Sequence, residues 1–164
     1  MTLQETGRVV RDGSGVRLEL HRAYDLPVEE VWAAVTDPDR LDLWFGRWTG
    51  DPASGSVTLL MTAEGDVPAE QVAVDACEPP HRLAVTVPGP DGPWPLELTL
   101  EPSGAGTALR LVHHLAEPYD ASSTGPGWQY YLDRLGAVLA GTRLPDDFDL
   151  YYPALAGAYA VPPV

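Results

Sequence analysis

Five short period-2 runs, each closed by turn residues, precede one long helical stripe in this chain. Val57, Leu59 and Met61 share one phase ahead of Glu64-Gly65-Asp66, and Val72, Val74 and Ala76 share one ahead of Glu78-Pro79-Pro80. Leu83, Val85 and Val87 lead into Pro88-Gly89-Pro90-Asp91-Gly92, and Trp94, Leu96, Leu98 and Leu100 into Ser103-Gly104. Thr107, Leu109, Leu111, His113 and Leu115 form the last run. Side chains two apart lie on one face of a strand, so each run predicts a strand with one covered face. Turns of hairpin length between them predict an antiparallel meander. Another element must then cover the apolar face.

That element is the helix predicted from Trp128, Tyr131, Leu132, Leu135, Val138 and Leu139, spaced to form one apolar stripe. Pro126 suits its first turn and Gly141 its C-terminal cap. Gly136 sits at the stripe's edge, where glycine costs about 1 kcal/mol against alanine, a cost that close approach to the sheet would justify.

A further strand precedes the five, with Val16, Leu18, Leu20, Arg22, Tyr24 and Leu26 in one phase. Arg22 is the odd member. Its stem packs while its head reaches water at the strand end, or it points a charge into a cavity. Val28, Val31, Trp32 and Val35 then predict a short helix, ended by Thr36-Asp37-Pro38. Asp37 can cap a second short helix whose stripe is Leu41, Trp44, Phe45 and Trp48, broken by Gly46 and Gly50. The expected fold class is α+β: a six-stranded antiparallel sheet around a long C-terminal helix, with two short helices after the first strand. Residues 1–15, polar and glycine-bearing, are expected to be a flexible leader. Residues 16–141 are expected to form a single domain. Residues 142–164 form a tail whose Tyr151, Tyr152, Leu155 and Tyr159 are expected to pack on or near it.

Composition narrows the functions. A formal net charge of -14 repels phosphate backbones and anionic membranes, so no nucleic-acid or membrane partner is expected. Such a surface serves solubility, or docks a basic patch on a protein. The single cysteine, Cys77, permits no internal disulfide and no zinc-binding pair, and nothing beside it activates the thiol. No segment approaches ~20 uninterrupted apolar residues and no apolar run follows Met1, so a cytoplasmic address is expected.

Catalytic motifs are scarce. The sequence has no Gly-x-Ser-x-Gly elbow, phosphate-binding glycine loop or His-Glu-x-x-His. His113 and His114 are strand neighbours and face opposite ways, so they cannot share a metal. No metal or cofactor is expected. His113 falls in the inward phase, either as a hydrogen-bonded core histidine or as a polar contact in a pocket. The carboxylates fall mostly in turns or on the polar phase, so no two-carboxylate hydrolytic site is expected.

In this order, several phrases resemble the START/Bet v1-like (SRPBCC) superfamily and, within it, the family of the C-terminal domain of the activator of Hsp90 ATPase. They are Tyr24-Asp25-Leu26-Pro27-Val28-Glu29-Glu30-Val31-Trp32, Thr36-Asp37-Pro38-Asp39-Arg40-Leu41 and Trp44-Phe45. The turn Glu78-Pro79-Pro80-His81-Arg82-Leu83, the strand from Gly106-Thr107 to His113, and the closing phrase Gly127-Trp128 through Tyr131-Leu132 to Leu135 complete them. The resemblance implies a helix-grip fold with an apolar pocket between long helix and sheet, in a stand-alone bacterial protein. It implies a small apolar or amphipathic ligand, met by Tyr24, Trp44, Phe45, Trp48, Met61, Leu98, Leu111, His113, Trp128, Tyr131, Leu132 and Leu135. Two other functions come with it. One is an aromatase- or cyclase-like enzyme, for which His113, Tyr131 and Arg22 are the candidate polar groups. The other is an Hsp90-type co-chaperone or interaction module. Under any of these readings the protein is expected to be a monomer or homodimer. The chaperone activator has a separate N-terminal domain with no counterpart in this sequence.

Overall fold

The computed structural model describes residues 6–65, 67–89, 92–116 and 121–160. Residues 1–5 of the expected leader, Asp66, Pro90 and Asp91 of two expected turns, and residues 161–164 of the tail lie outside the described residues. Among the described residues eight strands form one antiparallel sheet: β1 (Gly7–Asp12), β2 (Gly15–Tyr24), β3 (Arg47–Thr49), β4 (Ser56–Leu60), β5 (Glu70–Glu78), β6 (Arg82–Gly89), β7 (Gly92–Ser103) and β8 (Gly106–Leu115). Their order across the sheet is β1-β2-β8-β7-β6-β5-β4-β3. Helices α1 (Val28–Thr36) and α2 (Pro38–Leu41) link β2 to β3, and α3 (Thr124–Ala140) follows β8.

The expected six strands are eight, and the two short helices follow the second strand rather than the first. Part of the expected leader is β1, which pairs with β2 through the whole register from Gly7↔Leu20 to Asp12↔Gly15. Asp12 fixes the turn by accepting from the Ser14 backbone N–H and hydroxyl at 2.8 and 2.6 Å. The apolar content of β1, Val9-Val10, is too short to announce a strand beside its arginines. The other addition is β3, which carries Trp48. Trp48 was expected on a helical stripe, but α2 ends at Leu41. Gly46 explains the change of direction: a Cβ there would lie 2.5 Å from the Leu60 carbonyl oxygen, so only glycine lets the chain run this close to β4.

The helices cover one part of the sheet and leave another open. Leu18, Leu20, Leu100 and Leu109 are buried with Val31 and Ala34 of α1 and Leu132 and Leu135 of α3. The main strand contacts of α1 and α3 fall on β1, β2, β7 and β8. Most residues of β6 are only half-buried, because no helix seats on its inner face. Residues 142–160 pack back on the body, with Tyr151, Leu155 and Tyr159 at 3, 5 and 0% exposure.

Candidate ligand pocket

The uncovered part of the sheet becomes a hollow. An inner cavity of about 190 Å³ lies between β4–β8 and the helices. Val57, Leu59, Val72, Val74, Leu83, Val85 and Val87 line its sheet side, and Leu41, Trp44, Phe45, Trp48, Trp128 and Leu132 its helix side. Among the described residues, Thr36 and Cys77 are the only lining side chains with a polar or thiol atom apart from the indoles. The two indoles nearest α1 are already engaged. Trp44 Nε1 donates to the Ala34 carbonyl at 2.9 Å and Trp48 Nε1 to the Thr36 carbonyl at 2.7 Å. These are carbonyls of the last turn of α1, which have no acceptor role inside the helix. The tryptophans therefore cap the helix with their polar tips and present hydrocarbon to the cavity.

A second, outer cavity of about 560 Å³ adjoins the first and shares Phe45, Leu59, Val87, Leu96 and Trp128 with it. Phe45 stacks on Trp128 at 6.0 Å and meets Tyr131 edge-on at 4.8 Å. The outer cavity is more polar, with Glu64, Glu70, Ser123 and Thr124 in its wall beside Met61, Trp94 and Tyr131. The Tyr131 hydroxyl donates to Glu64 Oε2 at 2.5 Å, joining α3 to the 3-10 turn Thr62–Glu64. Burial, and then this carboxylate, push the Tyr131 hydroxyl well above the ordinary phenol range.

Of the residues expected to meet a ligand, Trp44, Phe45, Trp48, Leu98, Leu111, Trp128 and Leu132 line the inner cavity. Phe45, Met61, Trp128 and Tyr131 line the outer one. Tyr24, His113 and Leu135 line neither. Leu135 is fully buried in the core. Tyr24 packs beside Gly136, and its hydroxyl is buried with no hydrogen-bond partner among the described residues. His113 does point inward but lies behind the cavity wall, 4.9 Å from the Trp94 ring, and accepts from Trp128 Nε1 at 3.3 Å. Burial lowers its pKa to about 4, so the imidazole is neutral near pH 7.

The three groups considered for catalysis do not converge. Arg22 pairs with Asp133 of α3 at 3.1 Å, and Asp133 also accepts from the Tyr151 hydroxyl at 2.7 Å. Only Tyr131 reaches a cavity. Among the described residues no group of three or more His, Cys, Asp or Glu side chains could hold a metal ion, and no helix is long and apolar enough to cross a membrane.

Several lining residues carry no signal in the sequence. Cys77 lines the inner cavity because β5 slips register between Val74 and Ala76, so that Cys77 rather than Ala76 continues the inward phase. A bulge with Asp75 as the extra residue leaves no periodicity signal. The inward phase of Val72, Val85 and Val87 was legible, but parity alone does not separate a filled face from an open one. Glu64, Glu70 and Trp94 gather only through the fold.

A family model described as "Activator of Hsp90 ATPase homolog 1-like protein" matches residues 25–140, more than half of the chain. Comparison with curated proteins returned no match. Among solved structures, CalU16 from Micromonospora echinospora is 28% identical with a TM-score of 0.74, covering 95% of this chain and 94% of that one. DynU16, of the dynemicin biosynthetic locus, is 26% identical with a TM-score of 0.68 over 79% of this chain, which spans 50% of DynU16. CV1439 from Chromobacterium violaceum is 25% identical with a TM-score of 0.62, covering 75% of this chain and 96% of that one. With its strand order, its long C-terminal helix and a family match running from Asp25 to Ala140, the chain belongs to the activator of Hsp90 ATPase homolog 1-like family.

Proposed function

We propose that this protein binds a small apolar or amphipathic molecule in the paired cavities between the sheet and the helices. The carrying observation is the inner cavity, apolar save for Thr36 and Cys77 and walled by aromatic rings whose polar tips are held by the protein. A hollow leaves its lining side chains without partner atoms on one side, and a fitting ligand supplies those contacts. Ligand sites are typically concave, mostly apolar clefts of this kind. The origin of DynU16 in a biosynthetic locus agrees with a small-molecule ligand.

The test is binding of naphthalene-type and alkyl alcohols, followed by tryptophan fluorescence and thermal shift, together with native mass spectrometry of protein from its own host. Val85→Trp fills the inner cavity from β6. It should raise the melting temperature of the free protein and abolish ligand-induced stabilisation. Equal ligand shifts in both proteins would sink the reading.

A second reading, docking to a basic protein partner of the Hsp90 type, is favoured by the net charge of -14 and the family's name. It predicts salt-sensitive stimulation of the chaperone's ATPase, and fails if none occurs at low salt.

A further inference from the structure

The inner cavity carries no charge, so the electrostatic selectivity of the site is set in the outer one. Among the described residues, the only ionisable acids or bases in that wall besides the Tyr131 phenol are Glu64 and Glu70. No arginine lines either cavity, and the chain has no lysine, all ten of its basic residues being arginine. Two arginines on the flanking elements are occupied elsewhere. Arg47 pairs with Asp39 and Asp42, and Arg134 donates to the Trp44 and Pro145 carbonyls.

The two carboxylates keep acceptor capacity. The carboxylate of Glu70, half-buried on β5 opposite Leu59, has no hydrogen bond or ion pair among the described residues. Glu64 accepts only the Tyr131 hydroxyl there. An ionised carboxylate has about four acceptor positions, so both retain room for donors. Phe45, Trp94, Trp128 and Tyr131 add ring faces to the same wall, and aromatic faces attract cations. The net charge of -14 raises the local concentration of cations around the whole molecule.

We propose that the ligand is an amphipathic amine: its apolar body occupies the inner cavity, and its protonated nitrogen sits in the outer cavity between Glu64, Glu70 and the aromatic faces. Fatty acids and other anionic amphiphiles are disfavoured although their apolar parts fit, because the head group would meet two like charges and no basic partner. This inference rests on reading the two cavities as one ligand site.

A matched trio separates the two claims: naphthylmethylamine, naphthylmethanol and naphthoate share a ring system and differ in charge. At neutral pH and low salt the amine should bind about tenfold more tightly than the alcohol, the sum of weak exposed ion pairs and ring contacts, and naphthoate should bind weakest. Added salt should shrink the amine's advantage, and Glu70→Gln should cut the amine-to-alcohol ratio severalfold. If the alcohol binds and the amine binds no better, or naphthoate binds best, the amine proposal is wrong while the ligand site stands. If none of the three binds, the ligand-site reading fails and takes this one with it.

Discussion

Two buried polar groups, the His113 imidazole and the Tyr24 hydroxyl, show how far a single position can be read. His113 was legible as inward-facing from parity along β8, since it follows Leu109 and Leu111. Its partner was not, because Trp128 meets it only once α3 folds back over the sheet. As acceptor from the indole, its imidazole must be neutral at Nδ1, and burial holds its pKa at about 4 against an ordinary 6.5. Between those values the unfolded chain binds a proton here that the folded protein does not. Stability therefore rises with pH across that window, by up to about 1.4 kcal/mol per pH unit, and is lost as pH falls from 6.5 toward 4. His113→Asn keeps an acceptor near the indole and cannot titrate, so denaturation midpoints measured from pH 4 to 7 should lose this slope relative to the parent protein. Tyr24 is the opposite case. A buried hydroxyl without a partner among the described residues costs roughly 1–3 kcal/mol, so Tyr24→Phe should stabilise by about 1 kcal/mol in urea titration. A loss of stability would mean that the hydroxyl is bonded after all.

At the level of elements, the strands were legible where apolar parity ran for three or more positions and illegible where contact distances decide. β3 and the β5 bulge belong to the second kind, as do Gly125 and Gly136, two of the three glycines of α3. Gly136 was expected to mark close approach to the sheet, yet a Cβ there would meet only the Tyr24 ring at 3.7 Å, an ordinary contact. The close approach is instead at Gly125, where a Cβ would lie 2.2 Å from Tyr159 Cγ. Neither has a positive φ, so the sign of an alanine substitution depends on space and helix propensity. Gly136→Ala should stabilise by about 0.5–1 kcal/mol, and Gly125→Ala should destabilise by about 1–3 kcal/mol through overpacking. Thermal denaturation of the two variants side by side tests both, and the same sign for both would contradict the geometry. The candidate site follows the same division: its rings were legible as apolar stripe residues, whereas its emptiness depends on where α1 and α3 seat, which periodicity does not encode.

For the whole molecule, Tyr159 ties both ends of the described chain to α3. It is fully buried, and its hydroxyl donates to Gln129 Oε1 at 2.5 Å while accepting from the backbone N–H of Gly7 and Thr6 at 3.0 and 3.3 Å. Gln129 Oε1 accepts from the Thr6 N–H as well, at 3.1 Å. β1 is an edge strand, paired only with β2, so its outer end depends on this hydroxyl in place of a second neighbouring strand. Tyr159→Phe keeps the ring packing and removes only the hydroxyl. It should raise the hydrogen-exchange rates of the β1 amides roughly tenfold, the effect of about 1.4 kcal/mol of lost local stability. The amides of β5 and β6, remote in the sheet order, should keep their protection. Because neither Tyr159 nor any β1 residue lines a cavity, affinity for a naphthyl ligand should be unchanged. Exchange rising equally across the sheet would show that the tail supports global stability rather than this edge. A fall in affinity would show that the clasp also shapes the pocket, through the α3 turn where Gly125 meets Tyr159 and Trp128 lines the inner cavity.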